Sequence, residues 1–353
     1  MYRIFVINIG SSSLKVGLFE DGREIWSESK RHDPELIKSF ARVYDQIDFR
    51  MAAIDEVLRE KQVDFTQVDA VACRGGFCKP LASGTYAVCD AYLDDLKHAR
   101  WGEHASNISP FCGKILAERY GKPVYYTDPE AVDEFMPVSY VTGHPQIRRI
   151  CKVHALNHKA VARYAAGELG KPYEACNFIV AHLGGGISVA AHRKGRMADA
   201  CNPAEEGPPC VDRPGQLPNM QLLEYIFASG KPRDELYLEL STRSGLLAYT
   251  GMVDLVKIEQ RAETDESLAL ILDAMAYRIS FYILGYAAAF DGEPVDGIIL
   301  TGGMAKSDWI VPAVSKRVGR LARIFIYKGE YEMEALAAGA ARVMSGAEQA
   351  GVY

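Results

Sequence analysis

Ile7-Asn8-Ile9-Gly10-Ser11-Ser12-Ser13-Leu14-Lys15-Val16 and, half a chain later, Ala181-His182-Leu183-Gly184-Gly185-Gly186-Ile187-Ser188-Val189 are two versions of one pattern. Each has an apolar run, one polar residue, one apolar residue, a glycine, small residues and a second run of β-type residues. Short apolar runs bounded by Gly and Ser read as strands joined by a tight turn. Any β-hairpin with a glycine turn shares part of this pattern. The polar residue held just before the turn, Asn8 or His182, favours duplication of one domain. Two such domains, each offering a small-residue turn toward a shared cleft, are the expectation.

The elements around these hairpins follow from spacing. Residues 3–9 and 14–20 are strands, and Arg23–Lys30 is the place for a third. Pro34 to Lys61 carries Leu36, Phe40, Val43, Ile47, Met51, Ile54 and Leu58 at spacings of three or four, which predicts one long helix. Val68–Cys73 is a strand. Ser106–Arg119 is helical and stops at Gly121-Lys122-Pro123. Val124–Thr127 is a short strand delivering Asp128, and a helix runs from Val153 to Leu169. Asn177–Leu183, Ile187–His192 and Arg196–Ala200 form the second strand set. Two amphipathic helices and one long apolar helix come next. Strand Val295–Leu300 leads into Thr301-Gly302-Gly303, and a helix, the strand Arg323–Tyr327 and a last helix over Tyr331–Met344 end the chain. Hairpins mixed with crossover helices mean α/β.

At 353 residues, two domains of ordinary size fit, each able to bury its own core. Apolar residues make up 48% and charged residues 24%, which excludes disordered and collagen-like chains. A formal net charge of −6 provides no basic field for nucleic acid or anionic lipid. The eight cysteines form no C-x-x-C pair and lack zinc spacing, so reduced, mostly buried thiols in a cytoplasmic protein are expected. The N-terminus reads directly into a strand and carries no signal-peptide pattern. Leu268–Phe290 is mostly apolar, but Asp273 and Arg278 would each cost roughly 2.5–3.5 kcal/mol at a bilayer centre. A buried helix in a large domain is expected there, with enough apolar surface to suit a subunit interface.

A Gly/Ser turn exposes backbone N–H groups and can cradle a phosphate. Gly10–Ser13 adds three hydroxyls, and Lys15 follows. The sequence is neither G-x-x-x-x-G-K-[ST] nor G-x-G-x-x-G, which disfavours a P-loop ATPase and a Rossmann dehydrogenase. Gly184–Gly186 and Gly302-Gly303 also follow apolar strands. Three glycine-rich strand ends in one chain point to a cleft where backbone approaches a nucleotide.

Val6-Ile7-Asn8-Ile9-Gly10-Ser11-Ser12-Ser13-Leu14-Lys15 resembles the N-terminal signature of acetate and butyrate kinases. Gly102–Asn107, Val153–Arg163, Ile179–Val189 and Glu332–Ala337 are more similar to butyrate kinases than to acetate kinases, and the motifs come in family order across nearly the whole chain. The resemblance implies a duplicated actin/Hsp70-like (ribonuclease H-like) α/β fold around a nucleotide cleft. It implies residues 1–130 with 335–353 as one domain and 131–334 as the other. It further implies reversible phosphoryl transfer between ATP and butyrate, or a branched short-chain carboxylate, giving acyl phosphate and ADP. Mg²⁺ and a homodimer or larger homo-oligomer are part of the same expectation; nucleic acid and membrane partners are not.

By motif match, Asn8 and Glu334 resemble the magnesium-holding pair. Arg74 and Arg213 resemble the arginines flanking carboxylate and phosphoryl group, and His182 the histidine touching that group. His104 and Asp128 match two further active-site positions. Gly10, Ser11, Ser12, Ser13, Lys15, Gly184, Gly185 and Gly186 are the phosphate turns, with Gly302 and Gly303 as the adenosine loop. The chain departs from the family at Cys210-Val211-Asp212-Arg213, where acetate kinases have Gly-Thr-Arg. Its Gly-Ser-Ser-Ser turn is closer to acetate kinases, so acyl-chain preference stays open.

The chemistry is consistent with these roles. A carboxylate of pKa about 4 is ionised at neutral pH, so the nucleophile needs charge neutralisation and no general base. Arginines, Mg²⁺ and backbone N–H groups supply that. Each residue also has a plainer role open to it: Asp128 as a helix N-cap, Glu334 as a first-turn helix charge, the arginines as surface ion pairs, His182 as a core histidine. His154 and His158, four apart, could bind metal, but no carboxylate partner is evident. A hydroxyl kinase of the same superfamily would use Asp128 as base. An ATP-switched chaperone or filament former is the non-enzymatic alternative.

Overall fold

The computed structural model describes all residues, Met1–Tyr353. They form two units: Met1–Asp133 with Ala155–Asn157 and Tyr331–Tyr353, and Glu134–His154 with His158–Glu330.

In the first unit, β1 (Arg3–Ile9), β2 (Ser13–Glu20) and β3 (Arg23–Arg31) form an antiparallel meander. Helices α1 (Pro34–Lys38) and α2 (Ile47–Glu60) lead to β4 (Ala70–Arg74), which lies parallel to β1. Then come β5 (Thr85–Ala87), α3 (Asp90–Lys97), α4 (Ser109–Tyr120) and β6 (Val124–Thr127), giving the sheet order β3-β2-β1-β4-β6-β5. Ile4 to Ile7 and Ile9 are all buried, as expected of a central strand covered on both faces. Burying each large aliphatic side chain there contributes roughly 1.5–3 kcal/mol. The edge strand β5 and helix α3 are absent from the sequence expectation.

The single helix expected over 34–61 is broken. No residue of α1 is buried, and Leu36, counted in the apolar spacing, is exposed. A helix that short has no packing to extend it. The chain restarts where the Asp45 carboxylate accepts the Arg42 N–H at 3.1 Å. Helix α4 stops at Gly121, whose φ of +65° suits glycine.

In the second unit, α5 (Ala155–Glu168) leads to an antiparallel meander of β7 (Asn177–Leu183), β8 (Ile187–Arg193) and β9 (Arg196–Ala200). Five helices follow: α6 (Asn219–Ser229), α7 (Arg233–Thr242), α8 (Gly245–Thr250), α9 (Leu255–Ala262) and α10 (Glu266–Gly285). Strand β10 (Gly297–Gly302), helix α11 (Ile310–Val318) and strand β11 (Ile324–Lys328) complete the order β11-β10-β7-β8-β9. Numbered from its own first strand, this sheet runs 5-4-1-2-3, and the first sheet has the same order plus β5. The duplication inferred from the two hairpins is thus present in the topology.

The sequence predicts two amphipathic helices ahead of α10, and the structure has four. Helix α6 buries nothing and α7 buries only Leu236, so their apolar residues do not trace a core stripe. Glu266–Phe290 is long and apolar enough to cross a membrane by length and composition. In the structure Leu272, Met275, Ile279 and Ile283 join the core, while Leu270, Tyr277 and Phe281 are exposed.

The chain returns to the first unit at Tyr331, and α12 (Glu332–Met344) packs on β1, β4 and β6. The expected division lay four residues later, at 334/335. It falls earlier because the Tyr331 N–H donates to Asn157 Oδ1 at 2.9 Å and Glu332 bonds into the first unit. All eight cysteines are unpaired, and all but Cys89 are buried.

Candidate functional site

In the first unit the register Ile7↔Cys73 brings Asn8 and Arg74 to neighbouring strand ends. Both reach one carboxylate. Asn8 Nδ2 donates to Glu332 Oε2 at 2.7 Å, and Arg74 Nη1 donates to the same oxygen at 3.3 Å. Arg74 Nη2 also donates to Glu130 Oε1 at 2.7 Å. The carboxylate that meets Asn8 is therefore Glu332, whereas the sequence expectation was Glu334. Glu334 begins the less buried face of α12 and makes no such contact. Asn8 Oδ1 takes no hydrogen bond from the protein, and nor does Glu332 Oε1. A side-chain amide oxygen and a carboxylate oxygen are the hard donors that suit Mg²⁺, which needs few protein ligands.

The pairing Ile9↔Leu14 closes the first turn, and the Gly10 N–H donates to Ser13 O at 2.9 Å. Ser11 and Ser12 are exposed. Lys15 pairs with Asn8 across β1 and β2 and so shares its face of the sheet. His104 caps the turn before α4: its Nδ1 accepts the Ser106 N–H at 3.2 Å, which leaves the ring proton on Nε2. The ring stacks on Phe77, centroids 5.1 Å apart.

Asp128 is buried at the end of β6 with φ of +40°. Its Oδ1 accepts the Ser83 hydroxyl at 2.6 Å and the Gly84 N–H at 2.9 Å. This oxygen serves the Ser83-Gly84 turn. Asp128 does not start a helix, as the N-cap alternative required.

In the second unit His182, on β7 beside Thr301 of β10 and Ser188 of β8, is almost wholly buried. Its Nε2 lies 3.9 Å from Glu330 Oε1. A methyl group added at Gly184 would stand 2.6 Å from His182 Nε2, and one at Gly186 would stand 2.6 Å from Arg213 Nη1. The glycine turn is thus flanked by a histidine and an arginine, and larger residues would displace both. Arg213 Nε donates to Ser241 O at 3.3 Å, with Asp212 at 3.8 Å. Gly302 has φ of +91° and lies against the backbone of Leu183, which ties the Gly302-Gly303 turn to the end of β7.

Behind His182 is a chain the sequence did not resolve. The His154 ring stacks on His182 with centroids 4.0 Å apart. His154 Nδ1 and His158 Nε2 share the Ser188 hydroxyl at 2.9 and 2.8 Å. His158 Nδ1 lies 3.4 Å from His192 Nε2, and the Tyr173 hydroxyl lies 2.6 Å from His192 Nδ1. Burial holds His158 and His192 well below the usual imidazole range. The i, i+4 pair therefore shares a serine, and no group of three or more His, Cys, Asp or Glu is arranged to hold a metal.

Gly184, Gly185 and Gly303 line a cavity of about 550 Å³ together with the apolar Val253, Val256 and Met304 and the charged Lys306. Its size and mixed lining suit a nucleoside. Burial raises the Glu259 carboxyl among its lining residues, which accepts a hydrogen bond from the Ser307 hydroxyl. A larger apolar groove of about 690 Å³ lies among α6, α8 and α10 and contains none of the expected site residues. Glu332, Glu130, Glu330, Ser188, His192 and Tyr173 are not singled out as site groups by the sequence, and His154 and His158 are named there only as a possible metal pair.

Residues 124–321 match the acetokinase family. The fold is similar to that of Porphyromonas gingivalis acetate kinase, with TM-score 0.78 and 20% identity over 98% of this chain and 100% of that one. It is also similar to a propionate kinase from Francisella tularensis subsp. tularensis SCHU S4, with TM-score 0.75 and 18% identity over 96% and 99% of the two chains. For acetate kinase from Entamoeba histolytica the TM-score is 0.71 and the identity 17%, over 90% and 87%. These likenesses establish the two-unit, actin-like kinase fold. With more than half its length matched, the chain belongs to the acetokinase family of ATP-dependent carboxylate kinases.

Proposed function

We propose that this chain transfers the γ-phosphoryl group of ATP to butyrate or a branched short-chain carboxylate, reversibly, giving an acyl phosphate and ADP. The observation that carries this is the Gly184–Gly186 turn with His182 and Arg213 set against it. A small-residue turn is there lined by an imidazole and a cation, the groups that phosphoryl transfer to an already ionised carboxylate calls for. The preference for four carbons rests on the butyrate-kinase-like motifs at Gly102–Asn107, Val153–Arg163 and Ile179–Val189.

The carboxylate attacks as an anion, and the protein's part is to offset charge. In the first unit Arg74, held in position by Glu332 and Glu130, offers a cation to a bound anion, and in the second Arg213 does the same. His182 donates to an equatorial phosphoryl oxygen. In the first unit the Ser11 and Ser12 amides would hold phosphate oxygens; in the second, the Gly184–Gly186 turn would meet phosphate and the Gly302-Gly303 turn with its neighbouring cavity would take adenosine. Asn8 and Glu332 would hold Mg²⁺, which when bound neutralises phosphate charge.

The test is hydroxylamine trapping with ATP, Mg²⁺ and acetate, propionate, butyrate, isobutyrate or valerate in turn. A hydroxamate with kcat/KM highest for a four-carbon acid is expected. No hydroxamate with any acid at millimolar concentration would sink the reading.

A further inference from the structure

Arg50 is the largest fully buried side chain in the protein, and it has no carboxylate partner. It projects from α2 at a position where the apolar stripe Ile47, Met51, Ile54, Leu58 would ordinarily carry another aliphatic residue. All its hydrogen bonds go to neutral oxygens. Nε and Nη2 donate to Gln46 Oε1 at 3.3 and 3.1 Å. Nη1 donates to Ser13 O at 3.1 Å, and Nη2 donates to Ser11 O at 3.0 Å and Gly10 O at 3.4 Å. Burial works against the charged form. An uncompensated buried cation is costly unless something nearby uses its charge.

The three carbonyls belong to the turn assigned to phosphate. In a planar trans peptide the carbonyl of one residue and the N–H of the next point to opposite sides. With the Gly10 and Ser11 carbonyls drawn back onto the guanidinium, the Ser11 and Ser12 N–H groups are directed away from it. Neither N–H has an acceptor in the protein, and both residues are exposed. From the other flank, the Ser12 carbonyl accepts the His32 N–H at 2.9 Å, so the turn is fixed on both sides.

We infer that Arg50 is a positioning residue for phosphate binding: from beneath the Gly10–Ser13 turn it fixes the amides of Ser11 and Ser12 outward and places an uncompensated positive charge behind them. A bound polyphosphate supplies the missing anion across one layer of backbone. Arg50 touches no substrate and acts through the turn. This rests on the reading of the turn as a phosphate site, yet its test is a binding measurement that stands apart from turnover.

The experiment titrates the full chain with tripolyphosphate, ATP and adenosine by calorimetry. Arg50→Met, similar in length and neutral, should weaken tripolyphosphate and ATP at least tenfold and leave adenosine within twofold. Equal weakening of all three would mean a merely structural role and overturn the inference, as would unchanged tripolyphosphate affinity. Unaltered protein with no affinity for tripolyphosphate would overturn it too. If Arg50→Met fails to fold, Ser11→Pro decides, because it deletes one outward amide at an exposed position with Arg50 intact. Its tripolyphosphate affinity should fall at least threefold, and an unchanged value rejects the inference. If tripolyphosphate follows this pattern while no hydroxamate forms, the carboxylate-kinase reading fails and the role of Arg50 stands.

Discussion

Glu332 and Glu334 sit two residues apart on one helix and have opposite surroundings. At about 100° per residue they point roughly 200° apart around the axis. Glu332 continues the buried stripe through Leu336 and Gly339, while Glu334 begins the outer one through Ala338. That phase was readable in the apolar spacing, but the first turn of a helix is where boundaries are least certain. Glu330, Glu332 and Glu334 alternate there, and motif position pointed to Glu334, two residues beyond the carboxylate that meets Asn8. We expect Glu332→Gln to raise the Mg²⁺ concentration for half-maximal rate and to lower kcat by about 10–100-fold. Glu334→Gln should stay within about threefold. Combined with Asn8→Ala, the Glu332→Gln loss should be much smaller than the product of the two single losses, since both act at one site. Rate against free Mg²⁺ for the four variants is the measurement, and a stronger effect from Glu334→Gln would reassign the carboxylate.

At the scale of the element, the Gly184–Gly186 turn shows why its residues are small. Gly184 and Gly186 are crowded by His182 and Arg213, whereas a methyl group at Gly185 meets nothing within 4 Å. Gly184→Ala should push the imidazole aside and lower kcat by about 10–100-fold, the scale of effect expected from displacing a reacting group by an ångström. Gly185→Ala should retain kcat within about threefold. Steady-state rates of the two proteins, with circular dichroism to confirm the fold, provide the check; equal losses would show that only the turn's flexibility matters. The hairpins that carry such turns were legible because period-2 alternation and small-residue turns are set by neighbours in the chain. The helices were less so. Packing breaks the segment 34–61 after α1, and α6 to α9 expose residues that their composition would have buried.

Over the whole molecule, the buried imidazoles set a pH limit on stability. His158 and His192 are neutral in the folded second unit, held below the ordinary 6.5 by burial first and by neighbouring His192 or Lys159 next. In the unfolded chain both take up protons near 6.5. Below that pH the unfolded state binds more protons than the folded state, so stability rises with pH through this range. Their contribution is complete above about pH 6.5 and is lost as pH falls from there. We expect Tm to drop between pH 6.5 and 5, and His192→Leu to flatten that slope while also lowering Tm at pH 7.5. Melting curves at half-unit intervals test this, and an unchanged slope would place the acid sensitivity elsewhere.

The sequence by itself determined the α/β class, the domain duplication, the resemblance to acetate and butyrate kinases and the polar residues near strand ends, Asn8, Arg74 and His182. These follow from backbone periodicity and from motifs contiguous in the chain. Only the tertiary structure decided that Glu332 meets Asn8, that Asp128 serves the Ser83-Gly84 turn, and that His154 and His158 share Ser188. It alone placed Arg50 beneath Ser11 and Ser12. Each of those facts joins residues between 30 and more than 300 positions apart, or depends on which face of a helix is covered. Local propensity carries no record of either, because the partner that satisfies a buried charge or hydrogen bond is chosen by packing.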